Sequence, residues 1–485
     1  MIAHEPPAVA AVGTLQIGPF VAHPYEGFWA VTLVGTQLLN STLAAQFNAT
    51  PFVLIRYGGN VDATNVSNGC TYSDAGVCGR LSMNYTSFRT FCGWVHCRSV
   101  LGVPAESNDP GLAAETVRHV EQVVGFIPTF WSIGNEPESW THFGVPLHFW
   151  RLTDRSTPTP AEFGQLAATI TGAIRSVDPT VRIIGDQDAQ QGVAPQFLEN
   201  LSQRDDANLT AVAFHSYPGR GGPTTPSEAQ FLSNFNVTRT TTFLTQDEVA
   251  YRRGCGCNKS IMVGEFNGAF AGTFSPYLSG YPDVPMTAAV AAQLLAANAS
   301  AFTFFSFWGR APFYLLNAST GAGSPTYQFF AGLAAYLPMG STYRATVNTT
   351  VSGIYAVEEI DNRSQQGVLL VSTNTTQTVS VSLGDLMTNR LGTVIRDAPG
   401  SGISVDRYEA ASAPGSIDLA PEEVALLLPG YGGPANGSSE GGSGTPSPAL
   451  VGAPSAVWVI TAAAGLGAVA AGWVVLTRRR RSPGR

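Results

Sequence analysis

Lysine is nearly missing from this chain. Lys259 is the only one among 26 basic residues, which stand against 34 acidic ones for a net charge of −8. Charged residues of both signs make up only 12% of the 485 positions. The arginines are scattered except for "RRRR" at 478–481. No basic face is therefore available to follow a phosphate backbone, which argues against a nucleic-acid partner. The bias towards arginine reads as codon composition rather than function. Also lacking is a leader: "MIAHEPPAVAAVG" has neither a basic segment nor a convincing apolar one. Export would require a signal peptide encoded upstream of Met1.

Cysteine is scarce but even in number, at 70, 78, 92, 97, 255 and 257. Four of the six fall in a Gly/Asn/Ser-rich stretch that reads as a long loop after the second strand, about residues 62–98. In an exported chain these are expected to form loop-stapling disulfides of undetermined pairing. Zinc is the rival reading because His96 adjoins Cys97, but the spacing fits no common zinc module. No metal or organic cofactor is expected.

Long apolar runs are confined to one place. "SAVWVITAAAGLGAVAAGWVVLT" (455–477) carries no charge and suffices to cross a bilayer core of about 30 Å. Trp458 and Trp473 lie near its ends, and the basic tail 478–485 follows at once. The positive-inside rule puts that tail in the cytoplasm and everything before the helix outside. Fourteen N-x-S/T sequons, from Asn40 to Asn436, agree with an outward-facing glycoprotein on the cell membrane. Residues 431–454, rich in Gly, Ser and Pro, read as a flexible stalk.

With 44% hydrophobic residues the rest is long enough for two or three domains. Over 28–337, eight short apolar runs alternate with helical patterns, among them "FVLIRYGG", "PTFWSIGNE", "LTAVAFHSY" and "SIMVGEF". Continuous apolar strands between helices indicate a parallel sheet covered on both faces, and eight such units suggest a TIM (β/α)8 barrel. "TPAEFGQLAATITGAIRSV" shows a threonine cap, then proline, then a first-turn glutamate. From 338 to 430 the pattern changes to alternating polar and apolar residues with turn signals, as in an antiparallel β-sandwich. Residues 1–27 precede the barrel and could add a strand to that sandwich. The expected class is thus α/β: barrel, C-terminal sandwich and transmembrane helix.

Barrel chemistry sits at the carboxyl ends of the strands. Those ends carry Arg56 and Asn60, Glu106, Asn135 and Glu136, Asp186, His215 and Tyr217, Glu265 and Asn267, and Trp308. Glu136 and Glu265 end strands 4 and 7, so both can point into one pocket. Paired carboxylates are what glycosidic cleavage needs, one protonating the leaving oxygen and the other attacking the anomeric carbon. Glu138 reads as a solvated loop acid, and Glu106 and Asp186 receive no role.

Glutamates at these two strand ends, the first inside "GNEP", resemble the retaining glycoside hydrolases of clan A. With "IRYGGN", "FHSYPG" and a C-terminal sandwich, the chain looks most like glycoside hydrolase family 79, the heparanase and β-glucuronidase family, over about residues 28–430. Families 39, 44, 51 and 5 share much of the pattern. The resemblance implies Glu136 as general acid/base and Glu265 as nucleophile, kept ionised by Arg56 and Tyr217. It implies Asn135 on the sugar 2-hydroxyl, Trp308 as a flat face for the sugar ring, and Asn60 and His215 on sugar hydroxyls. The function expected is a membrane-tethered, outward-facing retaining β-glycosidase acting on a carbohydrate, with β-glucuronides or related glycans as candidates. The alternatives are an endo-acting clan A hydrolase on β-glucan or β-mannan and a non-catalytic cell-surface carbohydrate binder.

Overall fold

The computed structural model describes residues 11–14, 20–21, 29–33, 40–57, 85–105, 108–139, 157–188, 194–205, 208–217, 227–233, 246, 249–254, 260–268, 276–296, 299–309, 314–333, 342–345, 353–360, 366–383, 392–408 and 415–429. Two short strands come first, β1 (Ala11–Thr14) and β2 (Phe20–Val21). Eight parallel strands then close a barrel: β3 (Trp29–Leu33), β4 (Leu54–Tyr57), β5 (Arg98–Val103), β6 (Phe130–Ile133), β7 (Ile183–Asp188), β8 (Ala211–Ser216), β9 (Ser260–Phe266) and β10 (Ala301–Phe305). Helices α1 (Ser41–Asn48), α2 (Tyr85–Val95), α3 (Pro110–Arg118), α4 (Pro160–Val177), α5 (Ala194–Asp205), α6 (Glu228–Ser233), α7 (Asp283–Ala296) and α8 (Pro325–Leu333) lie between or after them.

The barrel closes because period-2 alternation gives each strand one inward apolar residue. Ala30, Leu54, Val100, Phe130, Ile184, Ala211, Met262 and Ala301 form one interior cluster with Ala213. Alanines on β3, β8 and β10 leave room for Phe130 and Met262, as a filled barrel requires. The intervening residues point outwards into the larger core beneath the helices, among them Trp131, which donates from Nε1 to Glu121 at 2.9 Å. The α4 cap is as the sequence indicates: Thr159 accepts from Glu162 N while Glu162 accepts from Thr159 N, the reciprocal pairing of a capping box.

Two features depart from the sequence expectation. The cysteine-rich stretch is not loop throughout, since α2 runs from Tyr85 to Val95 with Tyr85, Phe88, Phe91, Cys92 and Val95 buried on one face. That spacing of three and four is helical, and the small polar residues between mask it. Cys92 and Cys97 form a disulfide, while Cys70, Cys78, Cys255 and Cys257 lie outside the described residues. Helix α3 also does not continue uniformly, because His119–Val124 takes π-helical hydrogen bonding before Gly125 ends it at φ 70°.

Beyond the barrel come the short pair β11 (Trp308–Gly309) and β12 (Leu316–Asn317), then β13 (Thr342–Ala345), β14 (Ile354–Ile360), β15 (Gln366–Ser372), β16 (Val379–Ser382), β17 (Gly392–Ala398), β18 (Gly402–Tyr408), β19 (Ser416–Leu419) and β20 (Val424–Pro429). Strands β11 and β12 pair with each other, while β13 to β20, with β1 and β2, make a seven-stranded sheet, β18-β17-β20-β15-β14-β13-β2, facing a three-stranded one, β1-β16-β19. The amino-terminal strands thus pair within this β domain. The alternating stretch "GVLLVSTNTTQTVSVSL" (367–383), which reads as one run in the sequence, is two strands. Asn374 Oδ1 accepts from Thr376 N and Gln377 N, each at 3.1 Å, and that turn sends the chain from one sheet to the other.

The larger sheet is covered on both faces. Val368, Leu370, Val394 and Leu427 meet the small sheet, whereas Leu369, Val371, Ile395 and Leu426 join the barrel's outer core. Helix α7 fills that second junction, and every residue from Asp283 to Leu294 is buried. A helix apolar on all sides belongs between two layers. No helix among the described residues is long and apolar enough to cross a membrane, and 455–477 lies outside them.

Candidate active site

Arg56 faces inwards because it stands two residues after the interior Leu54 on β4. His215, on β8, and Tyr217, one residue past its end, follow the interior Ala211 and Ala213 in the same way. On β9 simple alternation would fail. Met262 points in and Val263 out, so Gly264 would take the next inward place and Glu265 would face the outer core. The register shows how this is avoided. Phe214 pairs with Val263 but His215 with Glu265, and Phe302 pairs with Val263 but Phe304 with Phe266. Gly264 is the extra residue of a β-bulge against both neighbours, and the bulge turns Glu265 inwards. A lone glycine inside "SIMVGEF" was the available signal.

Glu136 reaches the same space from three residues past the end of β6. Gly134 has φ 86° and Glu136 φ 49°, a left-handed conformation that is uncommon for a non-glycine residue. Pro137 follows, which disfavours the right-handed helical alternative for Glu136. Strained backbone of this kind concentrates at functional sites.

The side chains interlock. Arg56 donates from Nη1 to Glu265 Oε1 and from Nη2 to Asn135 Oδ1, each at 2.5 Å. Tyr217 donates its hydroxyl to Glu265 Oε2 at 2.7 Å. His215 Nδ1 stands 3.0 Å from Glu136 Oε1 and 3.5 Å from Glu265 Oε2, between the two carboxylates. Arg56, His215 and Glu265 are 1%, 1% and 4% exposed, while the Glu136 side chain keeps 12%. The pocket therefore opens past Glu136.

Burial alone would push the Glu265 carboxyl up. The charges of His215 and Arg56, with hydrogen bonds from Tyr217 and Arg56, outweigh burial and hold it below the usual carboxylate range. Burial, then the adjacent Glu265, drives the Tyr217 phenol well above its ordinary value, so it remains a donor. Removing either Arg56 or Glu265 would leave the other buried without its ion-pair partner, at a cost of about 3–5 kcal/mol.

Glu136, Glu265, Asn135, Arg56, His215 and Tyr217 are thus brought together. His215 is turned to the carboxylates, not to an open cleft, and Asn135 is 2% exposed with its carbonyl oxygen on Arg56. Trp308 does not end the eighth strand. The strand stops at Phe305, and Trp308 opens β11, half-buried against the outer core. Asn267 ties β9 to β10 by donating to Phe305 O at 2.7 Å. Asn60 and Glu106 lie outside the described residues.

No protein-family model and no curated protein matches the sequence. Solved structures do match in fold. The GH51 arabinofuranosidase from Xanthomonas axonopodis pv. citri superposes with a TM-score of 0.62 at 14% identity, over 86% of this chain and 99% of its own. A GH44 xyloglucanase from Paenibacillus polymyxa gives 0.58 at 10% identity, over 87% and 99%. A GH30 endoxylanase from Clostridium papyrosolvens C71 gives 0.55 at 11%, over 86% and 99%. The chain therefore shares the fold of these glycoside hydrolase structures over most of its length. The likeness does not single out family 79.

Proposed function

We propose that the protein is a retaining glycosidase in which Glu265 is the nucleophile and Glu136 the general acid/base. One observation carries this reading. The nearest Glu136 and Glu265 oxygens lie within 4.8 Å of each other, and Arg56 and Tyr217 both donate to Glu265. Retention calls for carboxyls about 5–5.5 Å apart, whereas inversion needs about 6.5–9.5 Å to hold a water. In the first step Glu265 forms a bond to the anomeric carbon, the glycosidic C–O bond breaks, and Glu136 gives its proton to the departing oxygen. In the second, water attacks that carbon, Glu265 leaves as carboxylate, and Glu136 takes the water's proton. A merely carbohydrate-binding barrel would have no use for a carboxylate held by a guanidinium and a phenol beside a second, partly exposed one.

Trp308 offers the sugar a flat face. The substrate we favour is a β-linked glycan of the family 79 kind, with the catalytic part outside the cell and tethered through 455–477. Because the structural neighbours include an arabinofuranosidase, an endoxylanase and a xyloglucanase, a panel of aryl glycosides and polysaccharides is the first assay. Proton NMR of the first-formed anomer then tests the mechanism. A β-linked substrate should release the β-anomer before mutarotation, and first release of the α-anomer would overturn the assignment of Glu265.

A further inference from the structure

Three atoms in the pocket present a geometry that hydrolysis does not itself require. His215 Nδ1, one oxygen of Glu136 and one oxygen of Glu265 all lie within 4.8 Å of one another. The two edges that meet at Nδ1 measure 3.0 and 3.5 Å. Ligands about 2.0–2.1 Å from a tetrahedral zinc ion lie about 3.4 Å from each other, a spacing that the two edges at Nδ1 bracket. The third edge, within 4.8 Å, would close to it as the partly exposed Glu136 side chain turns onto the ion. We infer that the unliganded pocket chelates a single divalent ion of the zinc type through His215, Glu136 and Glu265, and that this ion is a competitive inhibitor rather than a cofactor.

Charge and chemistry both favour it. Once an ion has displaced the imidazole proton of His215, two carboxylates against the one guanidinium of Arg56 leave an excess of negative charge that a divalent cation offsets. Arg56 holds Oε1 of Glu265, which leaves Oε2 directed at His215 and Tyr217. An imidazole with two carboxylates suits Zn2+, Co2+ or Cu2+ better than Mg2+ or Ca2+, which prefer oxygen alone. The cluster is nearly closed, and the exposed edge of Glu136 is the way in. An ion there would occupy the space between acid and nucleophile, where the anomeric carbon must sit if the glycosidase reading above is right. Metal and sugar would then exclude each other.

The test uses the detergent-solubilised full chain, stripped with a chelator and titrated with Co2+ as the probe. One Co2+ per chain should bind with the intense visible absorption of four-coordinate cobalt, and Zn2+ should displace it. With a hydrolysable aryl glycoside, Zn2+ should raise KM and leave kcat unchanged. His215→Ala should lose the cobalt spectrum. If that variant does not fold, Glu136→Ala at native Tm serves instead. No Co2+ binding, a six-coordinate spectrum, undiminished binding in the variants, or a fall in kcat alone would each overturn the site. A chain without glycosidase activity that still shows the cobalt spectrum would sink the proposed function and keep the metal site. An active enzyme that ignores Co2+ and Zn2+ would do the reverse.

Discussion

Tyr217 and Glu265 meet across two adjacent barrel strands, hydroxyl to carboxylate oxygen at 2.7 Å. The contact exists because the Gly264 bulge brings Glu265 level with the residues at the end of β8. Tyr217→Phe keeps the ring and removes only the donor. A hydrogen bond to a charged group contributes about 1.5–3 kcal/mol. Since this bond helps to depress the Glu265 pKa, its loss should move the acid limb of kcat/KM to higher pH. The rate at optimum should fall about 10–100-fold. An unmoved acid limb would separate Tyr217 from the nucleophile.

The two glutamates should respond differently to removal. Glu265→Ala should nearly abolish turnover of every substrate, and a 2-fluoro glycoside should label Glu265 in the intact enzyme. Glu136→Ala should spare aryl glycosides with good leaving groups while slowing poor ones by about 100–10,000-fold, because only the latter need a proton. Leaving-group dependence of kcat/KM measures this, and equal losses on both would take the acid role away from Glu136.

Three buried carboxyls outside the pocket set the pH dependence of stability. Burial pushes Asp283 up to about 8, partly offset by the Thr326 hydroxyl that donates to it at 2.8 Å. Burial, then the neighbouring Glu228, pushes Glu422 up to about 8, and burial raises Asp397 to about 6 against a hydrogen bond from Tyr281. In the unfolded chain these groups ionise near 4, so above that pH the native state holds protons that the unfolded state has released. Their contribution is complete below about pH 4 and is lost as pH rises through 6 and then 8. Glu265, with its depressed value, has the opposite sign and loses its contribution only at acid pH. Tm should therefore be higher near pH 5 than near pH 8.5, by calorimetry, and Asp283→Asn should flatten the fall. A Tm that climbs between those two values would contradict the assignment.

Topology is open to a direct experiment. Protease added to intact cells should remove everything up to the 431–454 stalk and leave a membrane stub carrying the arginine tail. Complete protection would put the catalytic part on the other side of the membrane.

The local record in the chain was enough for the eight strands, the capped helix α4 and the inward direction of Arg56, because period-2 alternation and capping depend on near neighbours alone. It also placed Glu136 and Glu265 at strand ends. Strands β13, β18 and β19 escaped it. They are short or exposed, as β18 is over residues 402–407, and therefore carry little apolar pattern. That His215 would stand between the carboxylates, that Arg56 would join Glu265 to Asn135, and that Gly264 would bulge rather than alternate were not legible. Each depends on how strands distant in sequence are staggered around a closed barrel, and a shift of one residue there reverses which side chains face the centre. Local pattern determined which groups stood at the rim of the barrel; only its closure decided which of them touch.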